Sequence, residues 1–407
     1  MSLRRVRPAL LAGSALLLVA ILTGCEADSV VPGSADDDPA TGATTGTAGE
    51  SSSEESPVRL SANVRRGATD VPVDRVVQVS AESGELTDVT LTSAAGELAG
   101  EVAEDGGTWT ASDLLEPGTT YTLRANAEGA DGATATRTAR FTTQDLTLDE
   151  QTYPSVAPLD GETVGVGMPV IVSFDVPVTD RASIEKHLTV TSTPAQVGSW
   201  HWMSDTEVHW RPKTYWQADT DVTVDVDINS VPAGGGVYGQ ESRQVDFHVG
   251  DANVYKVSAK THQMQVFSND KLLRTIPITT GEQPAFTTRS GTKVIIEKFD
   301  SKTMNSETVG ITGADAYNID NVQWAMRLTY SGEFIHAAPW SVGSQGHANV
   351  SHGCTGMSTE NAGWLYAMSK RGDVVEYVGT DKPMTLDNGY GDWNASYAAY
   401  AKGSALS

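Results

Sequence analysis

Val222-Thr223-Val224-Asp225-Val226 sets an apolar side chain at every second position, the period of a strand with one buried face. Similar runs precede it. Val170-Ile171-Val172-Ser173-Phe174 and Glu207-Val208-His209-Trp210 lie in the same stretch, from about Leu146 to Gly250. Val76-Val77-Gln78-Val79 and Tyr121-Thr122-Leu123-Arg124 lie between Val58 and about Asp145. Turn residues such as Asp105-Gly106-Gly107 and Pro117-Gly118 punctuate them. Short strands at this spacing predict two β-sandwiches, over 58–145 and 146–250. Leu115–Leu123 also lines up loosely with Trp216–Val224, 101 positions on. That offset is one sandwich length, so the two are expected to be copies of one module.

Both halves resemble bacterial immunoglobulin-like domains, which implies spacing and packing roles. The aromatic residues Trp200, Trp202, Trp210, Tyr215 and Trp216 form either a sugar-stacking surface or, as such clusters more commonly do, core and interdomain contact. His201, His209 and His248 fall on sandwich strands and are expected to be structural.

N-terminal to the sandwiches, Arg4, Arg5 and Arg7 precede an apolar run from Ala9 to Leu22, then Leu22-Thr23-Gly24-Cys25. The run is too short for a bilayer span of roughly 20 residues, but suits a signal-peptide core over residues 1–24. The Leu-Thr-Gly-Cys ending resembles a bacterial lipobox, which implies lipidation of Cys25 and an extracytoplasmic protein anchored to the membrane. Residues 25–57 are Ser, Thr, Gly, Ala, Asp and Glu with almost no large apolar side chain, a flexible tether of roughly 30 Å root-mean-square reach. The whole chain carries 52 acidic against 28 basic residues in 407, a formal charge of −24. Such a chain repels phosphate backbones and excludes nucleic acid as a partner class.

From about Asn253 the texture changes. Met264–Phe267 and Leu272–Ile278 flank Ser268-Asn269-Asp270-Lys271, a hairpin opening. Ser358 or Thr359 caps a helix that carries Ala362, Leu365, Tyr366 and Ser369 on one face and stops at Gly372. Val374–Val378 reads as a strand. The tail from Gly389 carries Trp393, Tyr397 and Tyr400 and is expected to form one short amphipathic helix that docks back on the body. The boundaries are 251–379 for this domain and 380–407 for a C-terminal extension.

The chain has two cysteines and eight histidines. Three of those histidines, His336, His347 and His352, fall just before Cys354, the cysteine outside the leader. A thiol near pKa 8.5 is mostly protonated at neutral pH, and a neighbouring imidazole relieves it of that proton to leave a nucleophilic thiolate. Ser351, Gly353 and Gly356 suit a tight turn whose backbone N–H groups face a developing oxyanion. These residues alone equally allow a buried free cysteine beside hydrogen-bonded histidines. A zinc site from His336, His347, His352 and Cys354 is a further option, though the spacing matches no familiar structural-zinc pattern.

The pattern His336-(14 residues)-Ser351-His352-Gly353-Cys354 resembles the signature of L,D-transpeptidases of the YkuD type. The likeness extends upstream to Pro284–Val294, with Thr288-Arg289-Ser290-Gly291-Thr292, and downstream to Gly391-Asp392-Trp393-Asn394. The layout is similar to that of actinobacterial, particularly mycobacterial, members. It implies a mainly β, multidomain chain: two immunoglobulin-like sandwiches, a β-rich catalytic domain with at least one helix, and a short C-terminal extension. No cofactor is implied. Cys354 is implied as nucleophile and His336 as base, with Ala337 orienting the ring through its carbonyl and His352 and Gly353 shaping the turn. The N–H groups of Gly353 and Cys354 are implied as oxyanion donors. Met304, Tyr317, Ser331, Gly332, Trp340, Ser351 and Gly356 are implied at substrate positions, Gly356 standing where many relatives carry asparagine or arginine. The implied partners are peptidoglycan stem peptides, a donor tetrapeptide and an acceptor, with carbapenem-type β-lactams as covalent inhibitors. The implied reaction is a 3→3 cross-link through a cysteine thioester, with release of D-alanine. The rival readings are an L,D-carboxypeptidase or protein-anchoring enzyme, a catalytically dead wall-binding lipoprotein, and a zinc-binding structural protein.

Overall fold

The computed structural model describes residues 57–407; the leader, Cys25 and the tether before Pro57 lie outside the described residues. Two sandwiches come first. One pairs the sheet of Arg59–Ala62, Gln78–Glu82, Thr108–Ala111 and Gly100–Val102 with that of Gly96–Leu98, Glu85–Ser93, Thr120–Glu128 and Thr134–Thr142. Its core is Val79, Leu91, Trp109, Tyr121, Leu123 and Phe141 with their neighbours. The strand expected at Val76 begins instead at Gln78. The Asn63 side chain replaces the ladder there, donating to the Val76 carbonyl at 2.8 Å and accepting from Gln78 N–H at 2.9 Å.

In the second sandwich, Pro154–Ala157, Val170–Phe174, Glu207–Pro212 and Gly198–Trp202 face Thr163–Val164, Arg243–Val249, Thr220–Val226 and Leu188–Thr193. The weak internal repeat has a structural basis. Gly118 and Asp219, equivalent at the 101-residue offset, both adopt left-handed backbone (φ 58° and 59°) just before a central strand. Leu115 and Trp216, also equivalent, are both buried. Trp200, Trp202, Trp210 and Trp216 belong to the core rather than to an exposed platform.

That core does not stop at the sandwich. It continues into Val294, Ile296, Val374 and Tyr390, so sandwich and C-terminal domain share apolar burial at roughly 25 cal/mol per Å². Gly165 and Gly167 donate backbone bonds to the Arg371 and Gly372 carbonyls, at 2.8 Å each. A Cβ on Gly165 would meet Asp373 at 2.3 Å, so the close approach requires glycine. Arg371 is paired with Glu162 across the same seam, Nε to Oε1 at 2.8 Å.

The C-terminal domain packs a five-stranded sheet (Lys271–Pro277, Gln263–Ser268, Asn253–Ser258, Val374–Val378, Gly291–Val294) against a four-stranded one (Glu297–Asn305, Asn318–Arg327, Phe334–Ala337, Thr355–Met357). The expected hairpin forms, with Asn269 and Asp270 both at positive φ (48° and 62°), as a two-residue turn matched to strand twist demands. The helix spans Thr359–Met368, capped by Ser358 accepting from Asn361 N–H. It ends at Met368 rather than Gly372, because Ser369 turns extended (ψ 148°) and its hydroxyl closes on the Leu365 carbonyl at 2.6 Å.

The tail forms a 3-10 turn, Asp392–Asn394, and a separate helix, Tyr397–Ala401, instead of one amphipathic helix. Trp393 leaves the expected helical face because its indole N–H donates to the Gly167 carbonyl at 2.8 Å. Arg211 lies over the rings of Trp393, Tyr397 and Tyr400. His209, buried, bonds Asp392 at 2.9 Å and Glu207 at 3.1 Å, while the Tyr400 hydroxyl donates to Asp392 at 2.8 Å.

Candidate active site

Parallel pairing of Phe334–Ala337 with Thr355–Met357 sets His336 opposite Gly356. Cys354 lies in the bend immediately before Thr355–Met357, the strand that pairs with that of His336. The pairing of the two strands therefore brings a histidine and a cysteine distant in the chain to one place. Both line a cavity of about 220 Å³ with Met304, Tyr317, Ile319, Val322, Trp340, Val350, Ser351 and His352. A larger cleft between the sandwiches, lined by Glu97, Asp113, Glu116, Asp227 and Glu241 among others, holds no thiol.

The turn that carries Cys354 is fixed from both sides. Ser351 Oγ accepts from Gly353 N–H at 3.2 Å and donates to the Cys354 carbonyl at 2.6 Å. Thr288 Oγ1 donates to the Gly353 carbonyl at 2.8 Å. Gly353 sits at φ 126°, a conformation that other residues adopt only with strain. One of the two expected oxyanion donors, Gly353 N–H, is thus already engaged by Ser351.

His336 Nδ1 lies 2.8 Å from the Ala337 carbonyl. A carbonyl only accepts, so Nδ1 carries the proton and Nε2 is left as the acceptor. Burial lowers the imidazole pKa, a drop the Ala337 carbonyl opposes. Burial also pushes the Cys354 thiol up to about 12, against a Phe334 N–H that points at the sulfur and favours the anion. Both shifts favour the uncharged forms, a protonated thiol beside a neutral imidazole, in the resting site. The thiol donates to the Gly332 carbonyl at 3.7 Å.

Beneath this turn lies a charge network that sequence reading missed. Glu333 accepts from Arg289 (Nη1 to Oε1, 3.0 Å) and from the fully buried Lys293. Lys293 sits over the Tyr377 ring, whose hydroxyl is 2.6 Å from Thr355 Oγ1. Burial holds Lys293 down at about 8, against the pull of Glu333. The signal was present: Glu333 stands before Phe334-Ile335, and Lys293 stands before Val294-Ile295-Ile296, charges set against apolar runs.

The remaining expected positions divide. Tyr317 and His352 rings lie 4.9 Å apart at the rim, and Trp340 stacks on His336 at 5.9 Å. Ser331 is absent from the lining and is bonded to Asn388 in the C-terminal extension. Gly356 is buried behind the cavity, not in it. A Cβ there would lie 2.8 Å from Ala338 Cβ and 3.1 Å from Thr279 Cγ2. Introducing asparagine at Gly356 is expected to cost about 1–3 kcal/mol through overpacking. A thermal midpoint equal to that of the unmodified chain would contradict this. His347 lies exposed in a turn outside the cavity. Among the described residues no three His, Cys, Asp or Glu side chains are grouped as a metal site requires.

Immunoglobulin-like sandwiches leading to a β-rich domain with a cysteine and a histidine lining one cavity define a class of multidomain protein with a candidate thiol site, and comparison narrows it. A family model described as the L,D-transpeptidase catalytic domain (YkuD) matches residues 252–376, and one described as a bacterial Ig domain matches 68–232. L,D-transpeptidase 2 of Mycobacterium tuberculosis (strain CDC 1551 / Oshkosh) is 37% identical over 351 residues, covering 85% of each chain. L,D-transpeptidase 5 of M. tuberculosis (strain ATCC 25618 / H37Rv) is 34% identical over 356 residues, 86% of this chain and 77% of that protein. A solved L,D-transpeptidase in complex with imipenem is 37% identical over 55% of this chain and 97% of its own, with a TM-score of 0.49. The chain belongs to the L,D-transpeptidase family.

Proposed function

We propose that this chain forms 3→3 peptidoglycan cross-links by a two-step acyl transfer on Cys354. The observation that carries the reading is the cavity shared by Cys354 and His336, with Nε2 left free to accept a proton. As Sγ attacks the carbonyl of the third stem residue, the S–C bond forms and the thiol proton passes to Nε2. The oxyanion is met by backbone N–H of the turn, Cys354 N–H foremost, since Gly353 N–H is held by Ser351. The C–N bond to the terminal D-alanine then breaks and Nε2 protonates the leaving amine. An acceptor stem's amine attacks the thioester, gives its proton to Nε2, and the thiol is restored.

A neutral resting pair suits this cycle. The proton moves only when substrate excludes water and brings its carbonyl to the sulfur, so an idle enzyme presents little thiolate to adventitious electrophiles. The Leu22-Thr23-Gly24-Cys25 sequence supports an anchor through lipidated Cys25, with the sandwiches lifting the active site toward the wall. Intact-mass spectrometry after exposure to a carbapenem is the test. One covalent adduct mapped to Cys354 is expected. Folded protein that takes up none would overturn the reading.

A further inference from the structure

The carbonyl that receives the Cys354 thiol belongs to Gly332, in a turn closed by a Leu328 N–H bond to the Glu333 carbonyl at 2.9 Å. Gly332 is at φ 92°, and a Cβ there would meet Val309 at 2.2 Å, so the turn is confined on that side. On another side it is gripped by Asn388. The Asn388 Oδ1 accepts from Ser331 N–H at 2.9 Å, and Nδ2 donates to Ser331 Oγ at 3.0 Å. A backbone N–H can only donate, which fixes the orientation of the amide. Gly389 follows at φ 91°, pressed where a Cβ would lie 2.9 Å from the Leu328 carbonyl. Asp392 then enters its buried bonds to His209 and Tyr400. The extension thus runs from sandwich to thiol: His209, Asp392, Asn388, Ser331, Gly332, Cys354.

We propose that Asn388 is a positioning residue for the nucleophile, its side-chain amide holding the Ser331–Gly332 turn so that the Gly332 carbonyl orients the Cys354 thiol. The proposal concerns the same thiol as the acyl-transfer reading and rests on it for substrate chemistry alone. A thiol that donates to a fixed carbonyl is held protonated and aimed. Freed of that carbonyl it ionises more easily but points less well.

Asn388→Leu keeps the volume and loses both bonds. Asn388→Asp keeps acceptors for Ser331 N–H and O–H while adding negative charge. The pH profile of Cys354 alkylation by iodoacetamide, read by peptide mapping of the full chain, is expected to move about one unit lower in N388L. N388D is expected to follow the unmodified protein or lie on its alkaline side. Carbapenem acylation is expected to slow about tenfold in N388L, since a misplaced nucleophile loses its near-attack geometry. N388L coinciding with the unmodified profile, or N388D moving with N388L, overturns the proposal. Should N388L lose the native thermal midpoint, the smaller Asn388→Ser is read against the same two outcomes. An unmodified protein that alkylates but never takes the carbapenem removes the acyl-transfer reading while the alkylation profiles still judge Asn388.

Discussion

Cys354→Ala is expected to bring acyl transfer and carbapenem adduct formation below detection, with the fold retained. Cys354 packs among Met304, Val322, Ala325 and Phe334, and alanine removes one sulfur from that cluster without burying a polar group. His336→Asn is expected to slow acylation by about 10²–10⁴-fold, the range for removing a general base. The reason is the resting protonation state. With the thiol pushed up to about 12, ionisation without a base is scarce at neutral pH, so the imidazole supplies nearly all of the reactive fraction. Single-turnover acylation followed by mass spectrometry measures both variants. H336N acylating at the unmodified rate would show that the ring takes no proton, and C354A acquiring an adduct would place the nucleophile elsewhere.

His209→Leu is expected to produce the largest loss of stability, about 3–5 kcal/mol, the cost of leaving a buried carboxylate without its partner. Asp392 is fully enclosed, and its Oδ2 already has no hydrogen-bond partner. Burial on its own pulls the His209 imidazole down, but Asp392 and then Glu207 reverse this and raise it from 6.5 to about 9. The sign follows from the raised value. The folded state binds the proton more tightly, so the stabilisation is fully present below about pH 6.5 and is lost as pH rises to about 9. On the acid side, burial works against the Asp392 carboxylate, yet His209 and Tyr400 hold its pKa below the usual range. Its contribution is lost only as pH falls through that lowered value. Tyr390, edge-on to His209 at 6.5 Å, and Glu207 complete the surroundings. Limited proteolysis of the C-terminal extension across pH 6.5–9, set beside thermal unfolding, measures the effect. The unmodified protein should become steadily easier to cleave, while H209L should be cleaved readily throughout. An identical pH slope in both would remove His209 as its source.

The two predictions bear on different levels of legibility. Alternation in Val222–Val226 and Tyr121–Arg124 was enough to call strands, because side chains that alternate across a sheet leave a local period of two in the sequence. The turn at Asn269-Asp270 and the Ser358 cap were legible for the same reason, their backbone needs being met by residues within a few positions. The tail was misread where a distant partner intervened. Trp393 keeps a helical spacing to Tyr397 and Tyr400, but its indole is claimed by Gly167, and nothing in the tail itself records that.

Local chemistry, then, was written in the residues: which segments are strands and where they turn, whereas the pairing of His336 with Cys354 was legible only through the resemblance to a family signature. The strand pairing that brings His336 and Cys354 to one cavity, the burial that favours the uncharged form of both, and the grip of Asn388 on the Ser331 turn came only with the folded chain. Burial and long-range pairing decide them, and these depend on what packs above a residue rather than on what precedes or follows it. Glu333 and Lys293 show the division most clearly. Their placement beside apolar runs was visible as an anomaly, but only the packing of two sheets turned it into a buried pair beneath the nucleophile.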